Sequence, residues 1–180
     1  MQDAEALSGL DDGAFDLVYA HGVLHHTPDP VPALRQIHLV LRLDGRILLM
    51  LYHRHSLKYH VRILGYLRAR VLLYALTQAL GRGPNDLEPH RERLLRRGGR
   101  SLRWDEFVRH YTDGPTCPLA RGYSRSEARA LLSPWFDELE FEVAHFPLAK
   151  VLGTFPCALE GAIARRLGWY LFVYGRRRSS

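Results

Sequence analysis

Residues 15–30, FDLVYAHGVLHHTPDP, predict a strand, a polar loop and the start of a helix. The run FDLVY is mostly apolar and rich in β-formers, and the turn-forming triplet DDG precedes it. Such a run is typical of a buried strand in a covered parallel sheet. Asp29 and Pro30 suit the cap and the first position of a helix. The loop between strand and helix is where open α/β sheets bind ligands, and it contains His21, His25 and His26.

A helix and a second strand are predicted next. Apolar residues recur at three- and four-residue spacing from Ala33 to Leu41, which predicts one buried helix face. We expect Asp44 and Gly45 to end this helix, with Gly45 taking a positive φ. The apolar run 46–52 predicts a second buried strand, parallel to the first. The order strand, helix, strand predicts an α/β fold with a doubly wound, mostly parallel sheet.

Four segments together resemble the C-terminal part of the class I S-adenosylmethionine-dependent methyltransferases. They are DAEAL at 3–7, DGAFDLV at 12–18, GVLHH at 22–26, and LVLR at 39–42 with the glycine at 45. Their order and spacing match that family over the first third of the chain. The resemblance implies a partial Rossmann-like domain over residues 1–180, S-adenosylmethionine as cofactor, and methyl transfer to a small-molecule acceptor.

The resemblance also implies roles for individual residues. Three residues would border the adenine: Asp3, Ala4 and Glu5. Two would meet the methionine portion, largely through their backbone: Ala20 and His21. His26 would lie nearest to the transfer site and act as the base, with His25 as the second candidate, because histidine suits proton transfer near neutral pH. Either histidine could instead be structural.

Tyr52, His53 and His55 follow the second strand. They would stand beside the histidine loop because the carboxyl ends of neighbouring parallel strands meet at one edge of the sheet. We therefore predict that they contact the acceptor, although His53 and His55 could equally be exposed loop residues. No metal site is predicted. The two imidazoles are expected on opposite sides of the strand end, and no carboxylate or thiolate follows closely enough to complete a coordination shell.

Two cofactor-binding features of the family are not found in the 180 residues. These are the Gly-rich turn after the opening strand and the acidic residue that binds the ribose hydroxyls. The one Gly-x-Gly, residues 81–83, follows a helical segment and precedes a proline, which is the wrong context for a cofactor loop. We therefore expect a truncated methyltransferase that binds the cofactor weakly or is inactive. The open flank of its first strand would favour self-association.

Residues 53–119 are predicted to form a helical cap or insertion over the site. The segment 57–80 shows a helical pattern with an apolar side made of Leu57, Val61, Leu64, Leu67, Val71, Leu72 and Ala75. Further along, Ser124 and Glu127 form a capping-box pattern that opens a helix through Leu132. Strands near 141–146 and 169–174 are expected to form the far edge of the sheet.

The composition allows a globular protein and leaves two other functions open. A hydrophobic content of 47% argues against disorder, and the net charge of +6 permits anionic partners. The arginines are dispersed, so nucleic acid is not favoured, and a membrane surface is allowed but less favoured than ordinary packing. With no leader and no pair of closely spaced cysteines, a cytoplasmic protein is expected. The alternatives are a non-catalytic relic or partner-dependent module, and a basic nucleic-acid or membrane-surface binder.

Overall fold

The computed structural model describes residues 9–77, 87–113, 119–146 and 157–179. They belong to two compact units, one of residues 1–56 and 122–180 and the other of residues 57–121. In chain order the elements are β1 (Phe15–His21), α1 (Pro30–Val40), β2 (Leu41–His53), a π-helix (Lys58–Leu67), α2 (Arg68–Thr77), α3 (Glu88–Arg97), α4 (Trp104–Tyr111), β3 (Gly122–Tyr123), α5 (Arg125–Leu132), β4 (Phe136–Ala144), α6 (Cys157–Leu167) and β5 (Tyr170–Arg177). The bounds of the second unit are similar to those predicted for the insertion, 53–119. The role of this segment as a cap stays a prediction.

The first unit is an open sheet in the order β1-β2-β5-β4, with β3 paired to the end of β2. Strands β1 and β3 run parallel to β2, whereas β5 runs antiparallel to both β2 and β4. The predicted α/β, Rossmann-like fold and its far edge of two late strands are confirmed. The described sheet is mixed rather than mostly parallel, because β5 returns between β2 and β4 in the opposite direction.

One face of the sheet packs against α1 and α5 to form the core of the first unit. The buried side chains include Leu34, Ile37, Leu49, Leu51, Leu132, Leu171 and Val173. Both helices begin at the caps that the sequence predicts. Asp29 accepts a hydrogen bond from the Val31 N–H at 3.0 Å, and Ser124 and Glu127 form a complete capping box. These caps fix where each helix leaves the carboxyl end of the sheet.

Strand β1 is more exposed than its apolar sequence predicts. Phe15, Leu17 and Tyr19 are 39, 54 and 58% exposed, whereas Val18 and Ala20 pack against the core. Side chains alternate along a strand, and only one face of β1 is covered by the described elements. Within the described ranges, no strand pairs with β1 on the side away from β2. The expectation of a buried strand is therefore wrong, and β1 is an edge strand with an apolar open face.

The start of β2 also differs from the prediction. The strand begins at Leu41, directly after α1, and its pairing with β1 is interrupted by a bulge. The positive φ in this bulge belongs to Asp44, at 65°, and not to Gly45. Gly45 is needed for a different reason, because a Cβ there would lie 2.8 Å from the carbonyl oxygen of Arg42. The glycine thus permits close approach of two backbone segments.

The second unit is helical, and its buried face differs from the predicted stripe. Tyr59 and Ile63 are buried, whereas Val61 and Leu72, both predicted to lie on the apolar side, are exposed. The first helix of this unit is a π-helix over Lys58–Leu67, which has more residues per turn than the α-helix assumed for the stripe. In the part of the chain that the structure describes, no helix is long and apolar enough to cross a membrane.

Candidate functional site

The loop after β1 brings two histidines against the end of β2. It turns at Leu24–His26, a short 3-10 helix. The His25 and Tyr52 ring centroids lie 3.8 Å apart, and those of His26 and Tyr52 lie 5.7 Å apart. The ring centroids of Trp169 and Tyr52 lie 4.4 Å apart. We name His25, His26, Tyr52 and Trp169 the histidine–aromatic cluster. The prediction that the histidine loop and Tyr52 meet at one end of the sheet is confirmed.

His25 is the buried centre of this cluster. Its side chain has no exposed surface, and among the described residues neither ring nitrogen has a hydrogen-bond partner. Burial lowers the pKa of His25 to about 3, with smaller contributions from His26 and His21, whereas the Met50 backbone acts in the opposite direction. His25 is therefore a neutral imidazole at physiological pH, out of contact with solvent.

His26 is the histidine of the cluster that solvent can reach. It is half-buried, and its ring centroid lies 4.3 Å from that of His25. A base must both exchange its proton and contact its substrate, so exposure distinguishes His26 from His25. The predicted catalytic roles of His26 and His25 are not tested by this geometry and stay predictions.

The residues expected at the cofactor lie at or before the end of β1. The Ala20 side chain packs toward the core, so only its backbone can face a ligand at the strand edge. His21 is exposed, with its ring 5.9 Å from Tyr170 on the open face of the sheet. Gly22, with a φ of 77°, turns the chain away after the strand. Asp3, Ala4 and Glu5 lie outside the described residues.

Tyr52 and His53 are adjacent in β2 and point to opposite faces of the sheet. His53 is 5% exposed, and its Nδ1 donates a hydrogen bond to the Gly168 carbonyl at 3.1 Å. The ring of His55 lies 5.8 Å from that of His53. The expectation that these two imidazoles lie on opposite sides of the strand end is therefore wrong, because β2 ends at His53 and the turn that follows brings the His55 ring beside it. Among the residues described, no group of three or more His, Cys, Asp or Glu could hold a metal ion.

His53 and His55 line a cavity of about 450 Å³ that we name the basic cavity. Its other walls come from the start of α5, from β4 and from the end of α6, namely Ser124, Arg125, Ser126, Val143, Arg165 and Arg166. Burial lowers the pKa of His53, as do the neighbouring His55 and Arg125, whereas its hydrogen bond to Gly168 acts in the opposite direction. Of this site, the sequence indicated only the histidines and the capping box.

Comparisons with known proteins agree with the fold. Residues 1–49 match the model of a family described as a methyltransferase domain, and no curated protein matches the chain. A solved S-adenosylmethionine-dependent methyltransferase from Thermotoga maritima, described as a possible histamine N-methyltransferase, is 16% identical with a TM-score of 0.53, covering 98% of this chain and 62% of its own. An S-adenosylmethionine-dependent methyltransferase from Methanosarcina mazei is 16% identical with a TM-score of 0.50, covering 98% and 65%.

At this level of identity the likeness to solved structures shows the fold, and the chain spans less than two thirds of the length of these two proteins. The family match is independent of that likeness and covers the segments DAEAL, DGAFDLV, GVLHH and LVLR. Residues 1–49 are thus similar to a methyltransferase domain, and the fold of the chain is similar to that of the solved S-adenosylmethionine-dependent methyltransferases.

Proposed function

We propose that this chain takes part in methyl transfer from S-adenosylmethionine to a small-molecule acceptor, with His26 as the base. The main support is the contact of His26 with Tyr52, at a ring-centroid distance of 5.7 Å. These residues follow β1 and β2, which are neighbouring parallel strands. Ligands of open α/β sheets bind beyond the carboxyl ends of such strands. The match of residues 1–49 to a methyltransferase domain supports the same reaction.

When bound, S-adenosylmethionine supplies a methyl group that is activated by the sulfonium charge. The described residues fit the methionine portion of this group. Ala20 and His21 end an edge strand, where backbone N–H and C=O groups on the outer side have no strand partner among the described residues. Those groups can bind the charged amino-acid end of the cofactor. Asp3, Ala4 and Glu5 are proposed to border the adenine, on the strength of the sequence resemblance.

The chain's own contribution to the reaction is alignment and proton removal. His26 would accept the proton of the acceptor nucleophile, because it is partly exposed and lies beside Tyr52 at the end of the sheet. His25 is neutral and buried, and its ring packs beside that of His26. Tyr52 would contact the acceptor at the wall it forms with Trp169. The predicted acceptor contacts of His53 and His55 are not part of this proposal, because His53 lies on the face of β2 opposite to Tyr52.

Among the described residues no Gly-rich turn follows a strand, so we infer that the chain binds the cofactor weakly by itself. Losing several buried polar contacts at about 1 kcal/mol each lowers affinity by orders of magnitude. That residues 53–119 cap the site, and that the protein is cytoplasmic, are further proposals that rest on the sequence.

A second candidate function is a partner-dependent module that lacks catalysis by itself. The observation that favours it is the open face of β1, where Leu17 and Tyr19 are more than half exposed. An edge strand with apolar residues on its open face can pair with another chain, or with a second copy of this one. In this case, too, cofactor binding would be weak until the partner is present.

The test is a nuclear magnetic resonance titration of the histidine-labelled chain with S-adenosylhomocysteine up to millimolar concentration. We expect saturable shifts of the His21 and His26 signals, and none of His38, which lies on α1 with its Nε2 3.2 Å from the Arg178 carbonyl oxygen. A His26→Gln variant should keep the His21 shift, because His26 is proposed to act on the acceptor. Equal shifts at all three histidines, or none, would contradict the proposed cofactor position.

A further inference from the structure

We propose that the basic cavity binds the phosphate group of a small, soluble phosphate monoester. This site is separate from the proposed transfer site, because His53 faces the side of β2 opposite to Tyr52. It does not depend on cofactor binding and goes beyond the proposed methyl transfer. The argument rests on the charge, the hydrogen-bond donors and the size of the cavity.

Three arginines bring uncompensated positive charge to the cavity. Arg125 comes from the start of α5, and Arg165 and Arg166 come from the last turn of α6. In the described parts of the chain, none of the three forms an ion pair. The Nη2 of Arg125 donates a hydrogen bond to the main-chain oxygen of Arg165 at 3.3 Å, which links the two helix ends across the cavity. An arrangement of guanidinium groups of this kind suits a phosphate dianion.

The acid nearest in sequence to Arg125 is already engaged elsewhere. The carboxylate of Glu127 accepts from the Nη1 of Arg54 at 2.7 Å and from the backbone N–H of Ser124 at 2.8 Å. Both of its oxygens are therefore used, one in an ion pair and one in the capping box. The ion pair of Glu127 is with Arg54, and in the described structure none joins it to Arg125, so the Arg125 guanidinium can bind an anionic ligand.

Backbone donors at the start of α5 add to the arginines. The capping box uses the N–H groups of Ser124 and Glu127, and the N–H groups of Arg125 and Ser126 have no partner within the helix. The Ser126 hydroxyl lies in the same first turn, 3.0 Å from the Ser124 hydroxyl. Free N–H groups at the positive end of a helix are a common way to bind phosphate oxygens.

Buried His53 provides an independent indication of a ligand. It is more than nine-tenths buried and lines the cavity, with Nδ1 committed to the Gly168 carbonyl. Its Nε2 makes no hydrogen bond to any described residue. Burial lowers the pKa of this imidazole, as do His55 and Arg125, against the effect of its hydrogen bond to Gly168. A bound dianion would favour its protonation, and Nε2 would then become a further donor.

The size of the cavity favours a phosphate ester over a free inorganic phosphate ion as the ligand. Its volume of about 450 Å³ lies in the range of about 300–1,000 Å³ that is usual for small-molecule sites. An orthophosphate ion alone would leave much of this space to water. Val143 supplies an apolar part of the wall, against which the organic part of an ester can pack.

The test is calorimetric titration of the full chain at neutral pH and low salt with glycerol 3-phosphate, inorganic phosphate and phosphatidic acid vesicles. We expect saturable binding of the ester, at least tenfold tighter than that of inorganic phosphate. Arg125→Gln and Arg166→Gln should each weaken ester binding at least tenfold, with helix content checked by circular dichroism. Arg35→Gln, which removes an exposed arginine from α1, is the matched control and should bind as the parent does.

Three outcomes would overturn the proposal. One is the absence of ester binding at 10 mM to a chain whose circular dichroism shows that it is folded. Another is equal weakening by Arg35→Gln, which would indicate general charge attraction. The third is binding to vesicles without binding to the soluble ester, which would assign the charge to a lipid surface. This titration measures neither methyl transfer nor cofactor binding, so the phosphate site and the proposed function can be refuted separately.

Discussion

Acid should destabilise the chain through His25. Burial lowers the pKa of this histidine from its ordinary value of 6.5 to about 3. In the unfolded chain the imidazole is exposed and binds a proton below pH 6.5, whereas in the folded chain it stays neutral until about pH 3. Protons therefore favour the unfolded state between these values. Each pH unit in this window costs about 1.4 kcal/mol, so the free energy of unfolding should fall by about 2 kcal/mol between pH 8 and pH 5.

The assay is urea unfolding at pH 8 and pH 5, on the parent chain and on His25→Phe. Phenylalanine can keep the ring contact with Tyr52 but does not titrate. The variant should therefore lose about 2 kcal/mol less than the parent over this interval. Burial also lowers the pKa values of His53 and His110, but these residues are present in both proteins and cancel in the difference. His38→Gln is the control and should follow the parent.

The same variant separates the titration of His25 from its packing. At pH 8 His25→Phe should be at least as stable as the parent, because it removes two buried ring nitrogens that have no hydrogen-bond partner among the described residues. If His25→Phe and the parent lose the same free energy of unfolding between pH 8 and pH 5, His25 is not held neutral by burial, and the reasoning fails.

Three further predictions concern the cofactor, the open strand and a close contact. The purified 180-residue chain should bind S-adenosylmethionine with a Kd above about 100 µM in calorimetry, and low-micromolar binding by a monomer would show a complete site. Leu17→Glu should shift the chain toward monomer in sedimentation experiments, because Leu17 is 54% exposed on an edge strand. The control Leu95→Glu, at a 64% exposed position of α3, should not, and a parent chain that is already monomeric would refute association. Gly168→Ala should lower the free energy of unfolding by about 1–3 kcal/mol, because the added Cβ would collide with the Ala144 carbonyl oxygen. Gly99→Ala is the control, since its added Cβ has open space around it. Equal melting temperatures for the two variants would contradict the close contact between Gly168 and Ala144.

The parts of the fold that could be predicted are those that depend on neighbouring residues. Asp29 and Pro30 specify the start of α1, and the Ser124 capping box specifies that of α5, because a cap uses groups within about three residues. The meeting of His26 with Tyr52 followed from strand polarity, since parallel neighbours end at the same edge of a sheet. Local rules and one topological rule were sufficient for these features.

The features that could not be predicted depend on backbone geometry or on distant residues. The π-helix at Lys58–Leu67 shifts the buried face of its segment, and apolar spacing alone does not reveal this change of pitch. The basic cavity joins Arg125 to Arg165 and Arg166, which meet only after β4 and α6 have folded back. Dispersed arginines in a sequence therefore give no indication that they will share one cavity.

Side chains alternate between the two faces of β2, so the positions of two sites depend on the number of residues in this one strand. Tyr52 belongs to the histidine–aromatic cluster and His53 to the basic cavity, on opposite faces of the sheet. An insertion or deletion of one residue between Gly45 and Tyr52 would exchange the two faces, so both sites would be lost in one event. Point substitutions at Tyr52 or His53 can instead adjust one site without the other. Evolution can therefore vary the identity of these two residues separately, while the number of residues in β2 is constrained twice.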